Sequence, residues 1–221
     1  MEKDTILFDL DGTLLNTMGD LHIAFNYAIG QFGFAPRTIE EIQSFVGNGV
    51  ERAIELALPC KVDEATFKKI YDEFVEYYRT HMTVETVPYD GILQMLADLK
   101  QKGYKLGVVS NKYDEGVKAL CQHYFSEYIS VAIGEGGDVI CKPDTSGVEK
   151  ACKLLDSDLS RTIYIGDADT DINTAKNGGM PCISVLWGYR DKEFLVENGG
   201  YLFAEEAKDI TNIIEKKLYL M

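Results

Sequence analysis

A short apolar run near the start of the chain ends in two carboxylates, and this run limits the possible folds more than any other segment. The residues from Thr5 to Leu10 favour β-structure and a glycine follows closely, which predicts a strand buried on both faces of a parallel sheet. Asp9 and Asp11 lie two positions apart, so their side chains leave the strand end on the same side. Ligands of such sheets bind at the carboxyl ends of strands, so the two aspartates mark the first candidate site.

Two carboxylates this close need a cation or a proton between them. They suggest one nucleophile and one general acid or base, with a metal ion that relieves their repulsion, because a carboxylate can form an aspartyl-phosphate with a phosphoryl group. Gly12 would let the backbone turn sharply and approach a ligand. The alternative is a strand-end turn in which the aspartates only cap backbone amides.

Composition and charge exclude several classes of protein. With 221 residues, of which 46% are hydrophobic, the chain can bury a full core as one α/β domain or as a domain with a sizeable insertion. The formal net charge of -14 argues against nucleic acid or an anionic membrane as a partner, so an anionic substrate would need a local cationic site. Five scattered cysteines without a CxxC pair predict neither a disulfide framework nor a zinc site. No apolar run approaches the roughly 20 residues that span a bilayer, so we expect a soluble cytoplasmic protein.

A long helical pattern follows the first strand, and the next convincing strand is not predicted before Lys105. Three apolar stripes at helical spacing occupy this stretch: Leu21, Phe25, Ala28, Ile29 and Phe32; Val50, Ala53, Ile54 and Ala57; and Phe67, Ile70, Phe74, Val75 and Tyr78. They predict an all-helical insertion over residues 17–86 within a core formed by residues 1–16 and 87–221. The two connections, near positions 16–17 and 87–88, would lie close together and could act as hinges.

Within the insertion, Gly47, Asn48 and Gly49 predict a tight turn that opens a helix, with Asn48 as the N-cap. The amides of this turn could face the active site, or the turn could simply join two helices. Arg52 follows on the polar face of the helix and could bind a substrate carboxylate with two hydrogen bonds. The alternative for Arg52 is a surface ion pair with Glu55 or the neighbouring glutamate.

The second half of the chain alternates strands and helices. We predict strands at 105–110, 128–134, 162–165, 182–186 and 201–203, and helices at 91–102, 114–124 and 146–155, with a last helix at the end of the chain. Ser110, Asn111 and Lys112 end the first of these strands just before a helix, where a hydroxyl and free amides could bind phosphate or could be ordinary capping residues. Lys142 precedes Pro143 and another helix, and could reach the same strand ends or be a solvated surface lysine.

Alternating aspartates after the strand at 162–165 raise the question of a cation site. A calcium-binding EF-hand loop counted from Asp167 would need glycine at Ile172 and glutamate at Gly178, so this alternative fails twice. A magnesium site is the better interpretation, because magnesium favours few carboxylates together with phosphate oxygens. Asp167 would supply an oxygen, and Asp171, one helical turn later, would hold metal-bound water or orient Lys142.

Four segments, in this order, resemble the motifs of the haloacid dehalogenase superfamily. Phe8–Leu14 is similar to the first motif, Ser110 to the second, Lys142-Pro143 to the Lys-Pro motif and Gly166–Asp171 to the fourth. The third departs from the usual Lys-Pro-x-Pro, because Asp144-Thr145 follows the proline.

The helical insertion resembles the cap of the phosphoglycolate-phosphatase-like branch of this superfamily. Val46–Gly49 is similar to the substrate-specificity loop of that branch, and Trp187–Arg190 is similar to the loop after a core strand. The resemblance implies an α/β fold, a Rossmann-like doubly wound parallel sheet with an inserted all-helical cap.

The resemblance also implies a magnesium-dependent phosphatase in which Asp9 is the nucleophile and Asp11 the general acid and base. Magnesium would be held by Asp9, Asp167 and the backbone carbonyl of Asp11. The expected phosphate-binding residues are Ser110, Asn111 and Lys142, with Asp171 in support and Gly47, Asn48, Gly49 and Arg52 as candidates for substrate specificity.

The expected partner is a small phosphorylated metabolite, with phosphoglycolate as the first choice. A phosphosugar mutase, a pyrophosphatase and a nucleotidase remain alternatives on the same core, as does a contact between Arg190 and substrate. A dehalogenase is disfavoured because a halide leaving group has no need of Asp11, and a phosphorylated receiver domain needs neither this length nor the helical insertion. The oligomeric state, monomer or homodimer, is open.

Overall fold

A six-stranded parallel sheet forms the centre of the structure, a computed structural model that describes residues 3–217 and 219. In chain order the elements are β1 (Thr5–Phe8), β2 (Leu15–Asn16), α1 (Met18–Gly30), α2 (Ile39–Phe45), α3 (Val50–Ala57), α4 (Glu64–His81), β3 (Val87–Pro88), α5 (Ile92–Gln101), β4 (Lys105–Tyr113), α6 (Asp114–Phe125), β5 (Val131–Glu135), α7 (Ser146–Leu154), β6 (Thr162–Gly166), α8 (Asp169–Asn177), β7 (Cys182–Val185), α9 (Lys192–Glu197), β8 (Phe203–Ala204) and α10 (Ala207–Glu215). The sheet has the order β5-β4-β1-β6-β7-β8. The predicted α/β class with a parallel sheet is confirmed.

Strand β1 lies in the middle of this sheet and is buried along its whole length. Its side chains alternate between two hydrophobic clusters: Ile6 and Phe8 join the cluster that contains residues of α5, α6 and α10, whereas Leu7 joins the cluster that contains residues of α7 and α8. Helices therefore cover both faces, as the continuous apolar run of β1 requires.

Helices α1 to α4 lie between β2 and β3 and share a third hydrophobic cluster. Phe25, Ile54, Phe74 and Tyr78, which come from all three predicted apolar stripes, are buried in it. The two connections pair as a short antiparallel ribbon, with Leu15 opposite Pro88 and Asn16 opposite Val87. Sequence analysis did not predict these two strands, and the division into a core and a separate cap remains a prediction.

Among the local predictions that differ from the structure, three concern α3, β4 and β5, while the strand predicted at 201–203 is the two-residue β8, Phe203–Ala204. The N-cap of α3 is Gly49, at φ 87°, rather than the exposed Asn48, because the chain enters the helix through a left-handed conformation that favours glycine. Strand β4 continues to Tyr113, which pairs with Glu135 after a register shift. Strand β5 begins only at Val131, because the backbone near position 128 still hydrogen-bonds to the carbonyl of Phe125 at the end of α6.

Two further expectations can be compared with the described residues. All five cysteines are free thiols, in agreement with the predicted absence of a disulfide framework. No helix in the described part of the chain combines the length and the apolar character that crossing a bilayer requires.

Candidate active site

Loops at the carboxyl end of the parallel sheet surround one cavity of about 50 Å³. The core side of the cavity is lined by residues that follow or end four strands, β1, β4, β6 and β7: Asp9, Asp11, Ser110, Asn111, Lys112, Tyr113, Asp167, Ala168 and Tyr189. The opposite side comes from the helical insertion: Leu21, Phe25, Val46, Gly47, Gly49, Val50, Ala53, Phe74 and Tyr78. One wall is therefore polar and the other almost entirely apolar.

Asp9 lies directly after β1, where its own N–H donates to the carbonyl of Ile165 on β6 at 2.8 Å. The Oδ1 atom of Asp9 accepts hydrogen bonds from the N–H of Leu10 at 2.7 Å and lies 3.0 Å from Lys142 Nζ. Burial raises the pKa of Asp9 to about 6, although the charge of Lys142 opposes this rise. Asp9 thus offers a positioned carboxylate that is mostly ionised at neutral pH.

Lys142 is only 4% exposed, so the alternative of a solvated surface lysine is wrong. Its Nζ lies 2.6 Å from Asp171 Oδ1 and 3.1 Å from the hydroxyl of Tyr164, which itself donates to the carbonyl of Val109. Burial opposes the charge of Lys142, but Asp171 and Asp9 together raise its pKa well above the usual value. Lys142 is therefore a fixed cation beside Asp9, and Asp171 holds it there.

Asn111 connects the Lys142 loop with the helical insertion. Its Oδ1 accepts from the N–H of Lys142 at 2.6 Å, while its Nδ2 donates to the carbonyls of Lys142 at 3.2 Å and Gly47 at 2.8 Å. The side-chain amide is thus fully used in positioning these two loops. Ser110 lines the cavity, and its Oγ accepts only a long 3.4 Å bond from the N–H of Lys112.

Asp167 follows β6 and is buried beside Asp9 and Asp171. Its carboxylate accepts hydrogen bonds from Thr13 Oγ1 at 2.9 Å and from the N–H of Tyr189 at 2.8 Å. Burial, and next the charges of Asp171 and Asp9, raise its pKa to about 8. One carboxylate oxygen from each of the three aspartates lies within 4.8 Å of the others, an oxygen-rich cluster whose repulsion a hard divalent cation would relieve.

Two glycines pack against the carboxylate of Asp167. A Cβ atom on Gly188 would lie 2.2 Å from the Cβ of Asp167, and one on Gly12 would lie 2.4 Å from its Oδ2. Gly12 also has φ 82°. Sequence analysis expected Gly12 to allow a ligand to approach, whereas in the structure the close neighbour is Asp167.

We expect Gly188→Ala to displace Asp167, because the added methyl group would overlap its side chain. Any affinity of the aspartate cluster for a divalent cation should fall about 10- to 100-fold, with a loss of about 1–3 kcal/mol in the free energy of unfolding. Gly30→Ala, where a Cβ would meet nothing within 4 Å, is the matched control and should change neither quantity. Cation titration and urea unfolding check both variants, and unchanged behaviour of Gly188→Ala would contradict the steric argument.

Asp11 has a set of partners that the sequence did not indicate. Lys112 Nζ binds both of its carboxylate oxygens, at 3.0 and 2.8 Å, and Thr17 Oγ1 donates to Oδ1 at 2.7 Å. Thr17 in turn hydrogen-bonds with the hydroxyl of Tyr189 at 2.9 Å. Sequence analysis noted Lys112 only as a cation near the strand end and assigned it no role. The one available signal for Tyr189 was the resemblance of its loop to that of a known branch.

The structure separates the four specificity candidates of the helical insertion into two groups. Gly47 and Gly49 line the cavity, whereas Asn48 is exposed and does not. Arg52 is also exposed and pairs with Glu55 at 2.8 Å, so the surface-ion-pair alternative is correct and the proposed contact with substrate is not supported.

Arg190 instead binds backbone carbonyls at the end of α2. It donates to the carbonyls of Gln43 at 3.0 Å and Val46 at 2.9 Å, and the Gln43 side chain returns a hydrogen bond to the carbonyl of Tyr189. A cation at a helix C-terminus is favourable because the last carbonyls lack intrahelical partners. Arg190 therefore ties the core loop to the helical insertion.

Comparisons with known proteins agree with this architecture. The model of the haloacid dehalogenase-like hydrolase family matches residues 6–185. A phosphoglycolate phosphatase of Agrobacterium fabrum is 33% identical over 189 residues, which cover 84% of this chain and 81% of that protein. An N-acetylmuramic acid 6-phosphate phosphatase of Pseudomonas aeruginosa is 28% identical and covers 99% of this chain and 97% of its own length.

A crystal structure from Lactobacillus delbrueckii subsp. bulgaricus, provisionally assigned as a phosphoglycolate phosphatase, has a TM-score of 0.88 and 33% sequence identity. The match covers 97% of this chain and 99% of that one. The comparisons confirm the enzyme class expected from the sequence, a phosphoric monoester hydrolase. The chain belongs to the haloacid dehalogenase-like hydrolases and is similar to the phosphoglycolate phosphatases among them.

Proposed function

We propose that this hydrolase is a magnesium-dependent phosphatase that cleaves phosphoglycolate through an aspartyl-phosphate formed on Asp9. The proposal rests on one observation above all: Asp9, Asp11 and Asp167 line one small cavity, and the fixed cation of Lys142 lies beside Asp9. Nucleophile, general acid and counter-charge are thus within reach of one phosphoryl group. Relatives named as phosphoglycolate phosphatases support the choice of ester.

In the first half-reaction, a carboxylate oxygen of Asp9 attacks phosphorus as the bond from phosphorus to the ester oxygen breaks. Asp11 passes a proton to that oxygen, so the alcohol leaves neutral. Lys142 keeps positive charge beside Asp9, and the Ser110 hydroxyl and the backbone amide of Asn111 can donate to the transferring phosphoryl oxygens. Such preorganised charge and donors supply much of the stabilisation in phosphoryl transfer.

In the second half-reaction, a water molecule attacks phosphorus of the aspartyl-phosphate. Asp11, which is now ionised, takes a proton from this water, the bond between phosphorus and Asp9 breaks, and inorganic phosphate leaves. Both carboxylates return to their starting states. The contacts of Asp11 with Lys112 and Thr17 hold its carboxylate in one orientation for both steps.

The residues present fit magnesium, with Asp9 and Asp167 as carboxylate ligands and the backbone carbonyl of Asp11 as a third. When bound, the ion would supply positive charge beside the phosphoryl group. Asp171 is less suited to be a direct ligand, because one of its oxygens binds Lys142 and the other accepts from the N–H groups of Asp167 and Ala168.

Magnesium should raise the melting temperature more at pH 8 than at pH 6. The metal-free fold raises the pKa of Asp9 to about 6 and that of Asp167 to about 8, so it retains protons that the unfolded chain has already released. The contribution of these two groups to the free energy of unfolding therefore falls as pH rises through these pKa values. At pH 8 magnesium competes with fewer protons for the carboxylates than at pH 6. Thermal melts with magnesium and with EDTA check this, and Asp167→Ala should remove most of the shift. A shift of equal size at both pH values would contradict the assignment.

The cavity favours a small leaving group. Its volume is only about 50 Å³. A phosphosugar is the second candidate, because a relative that covers nearly the whole chain is named as an N-acetylmuramic acid 6-phosphate phosphatase. A sugar of that size would require the insertion to move away from the core.

A phosphate-release screen with magnesium and with EDTA tests the proposal over phosphoglycolate, hexose phosphates, nucleotides and pyrophosphate. We expect selective, magnesium-dependent release from phosphoglycolate. Release from many esters would be consistent with the mechanism but would contradict phosphoglycolate as the specific substrate. Isomerisation of a hexose phosphate without release would favour a mutase, and release in EDTA would contradict the metal requirement.

A further inference from the structure

Lys112 is a buried cation that lines the cavity. Its contact with Asp11 in phosphoryl transfer leaves room for a second role. Its side chain is 3% exposed and lies over the ring of Tyr78, 4.6 Å from the centroid. Of the described residues that line the cavity, it is the only one with a positive side chain. The other side chains near it on the insertion side are apolar or aromatic, so its charge is not shared with solvent.

We propose that Lys112 is a specificity residue that binds the carboxylate of the leaving group, an inference that rests on the proposed hydrolysis of phosphoglycolate. An ammonium group has three N–H donors, and two of those of Lys112 point to the oxygens of Asp11. Within residues 3–217 and 219, Lys112 Nζ donates no third hydrogen bond. One donor is therefore left for a ligand.

The chemistry of the reaction places a substrate carboxylate near this donor. Asp11 must reach the ester oxygen in order to protonate it, and Lys112 contacts both oxygens of Asp11. In phosphoglycolate the carboxylate carbon is only two bonds from the ester oxygen. A cation that touches the general acid therefore lies beside the position of the carboxylate, whereas an alkyl phosphate would leave the same cation without a new partner.

Two tyrosine hydroxyls support a polar ligand at this place. Tyr78 and Tyr113 line the cavity, and their buried hydroxyl oxygens have no hydrogen-bond partner among the described residues. A buried hydroxyl without a partner costs stability, about 1–3 kcal/mol, unless a ligand supplies the bond. Tyr78 is fully buried and its ring lies beside Lys112, so its hydroxyl can provide a second donor to the carboxylate.

The arginines that sequence analysis considered for this role have other partners. Arg52 pairs with Glu55 on the surface, and Arg190 binds carbonyls of Gln43 and Val46. Recognition of the leaving group thus comes from the core strand β4, which carries Lys112, together with α4, which carries Tyr78. Such recognition requires that core and insertion be closed on each other.

The test compares kcat/KM for phosphoglycolate with kcat/KM for ethyl phosphate, which lacks the carboxylate. Lys112→Met should lower the ratio of these two values about 10- to 100-fold, the effect expected for a charge-assisted hydrogen bond. A purely structural role, or a role only in orienting Asp11, would lower both values and leave the ratio unchanged. Arg52→Met is the matched control and should leave the ratio as in the wild type.

Tyr78→Phe keeps the test decisive if Lys112→Met does not fold. It removes one unpartnered buried hydroxyl, so the melting temperature should stay the same or rise. The ratio should nevertheless fall about 5-fold. An unchanged ratio in Lys112→Met, or in Tyr78→Phe when Lys112→Met is unfolded, would overturn the inference.

The wild-type enzyme separates this inference from the proposed function. If the wild type does not prefer phosphoglycolate over ethyl phosphate, the proposed substrate is wrong, and the role of Lys112 falls with it. If the wild type has the preference and Lys112→Met retains it, the proposed function stands and only the role of Lys112 is wrong.

Discussion

Asp9→Asn should abolish phosphate release while the protein stays folded. An amide oxygen is a poor nucleophile, so kcat should fall at least about 10⁴-fold, the scale of losses seen when a covalent catalyst is removed. The fold should persist because burial already disfavours the charge of Asp9, raising its pKa to about 6, and Lys142 keeps Asp171 as a partner. Steady-state kinetics with circular dichroism check both parts.

A rapid acid quench of the wild type during turnover should show a phosphoryl adduct on the peptide that contains Asp9. The adduct should be absent from Asp9→Asn. Asp169→Asn, a change of the same kind at the first residue of α8, is the control and should retain turnover. If Asp9→Asn released phosphate at a rate near that of the wild type, or if the adduct appeared on another residue, Asp9 would not be the nucleophile.

Lys142→Met should cause the largest loss of stability of any single change discussed. The side chain of Lys142 is buried between Asp9 and Asp171, so its removal leaves two buried carboxylates without their counter-charge. Breaking a buried ion pair from one side costs about 3–5 kcal/mol. We expect a fall of that size in the free energy of unfolding in urea at pH 8 with EDTA, together with loss of activity.

The double variant Lys142→Met with Asp171→Asn should recover much of this stability, because the strongest unpaired charge is then also removed. Lys150→Met is the matched control: Lys150 pairs with Asp138 on the surface at 2.6 Å, and such pairs contribute at most about 1 kcal/mol. The loss in Lys142→Met should shrink as pH falls, because burial raises the pKa of Asp9 to about 6 and a protonated Asp9 needs no counter-charge. A loss no larger than that of Lys150→Met would contradict the buried-cation argument.

The sequence alone determined the features that depend on short stretches of chain. The continuous apolar run of β1 required burial on both faces, and the sheet provides it. The spacing from Asp167 to Asp171 is one helical turn, and in the structure Asp171 accepts from the N–H of Asp167. Both relations follow from backbone geometry within a few residues, which a sequence pattern records directly.

The tertiary structure alone decided which distant side chains become partners. Asp11 and Lys112 lie 101 positions apart, and Arg52, which had the right chemistry for an anion, is exposed on the outer face of α3. No feature of the neighbouring sequence distinguishes the buried Lys112 from a surface lysine. Lys112 is buried because β4 continues to Tyr113 and because α4 packs over its side chain. Periodicity is a property of neighbouring residues, whereas a charge pair is selected by the packing of whole elements.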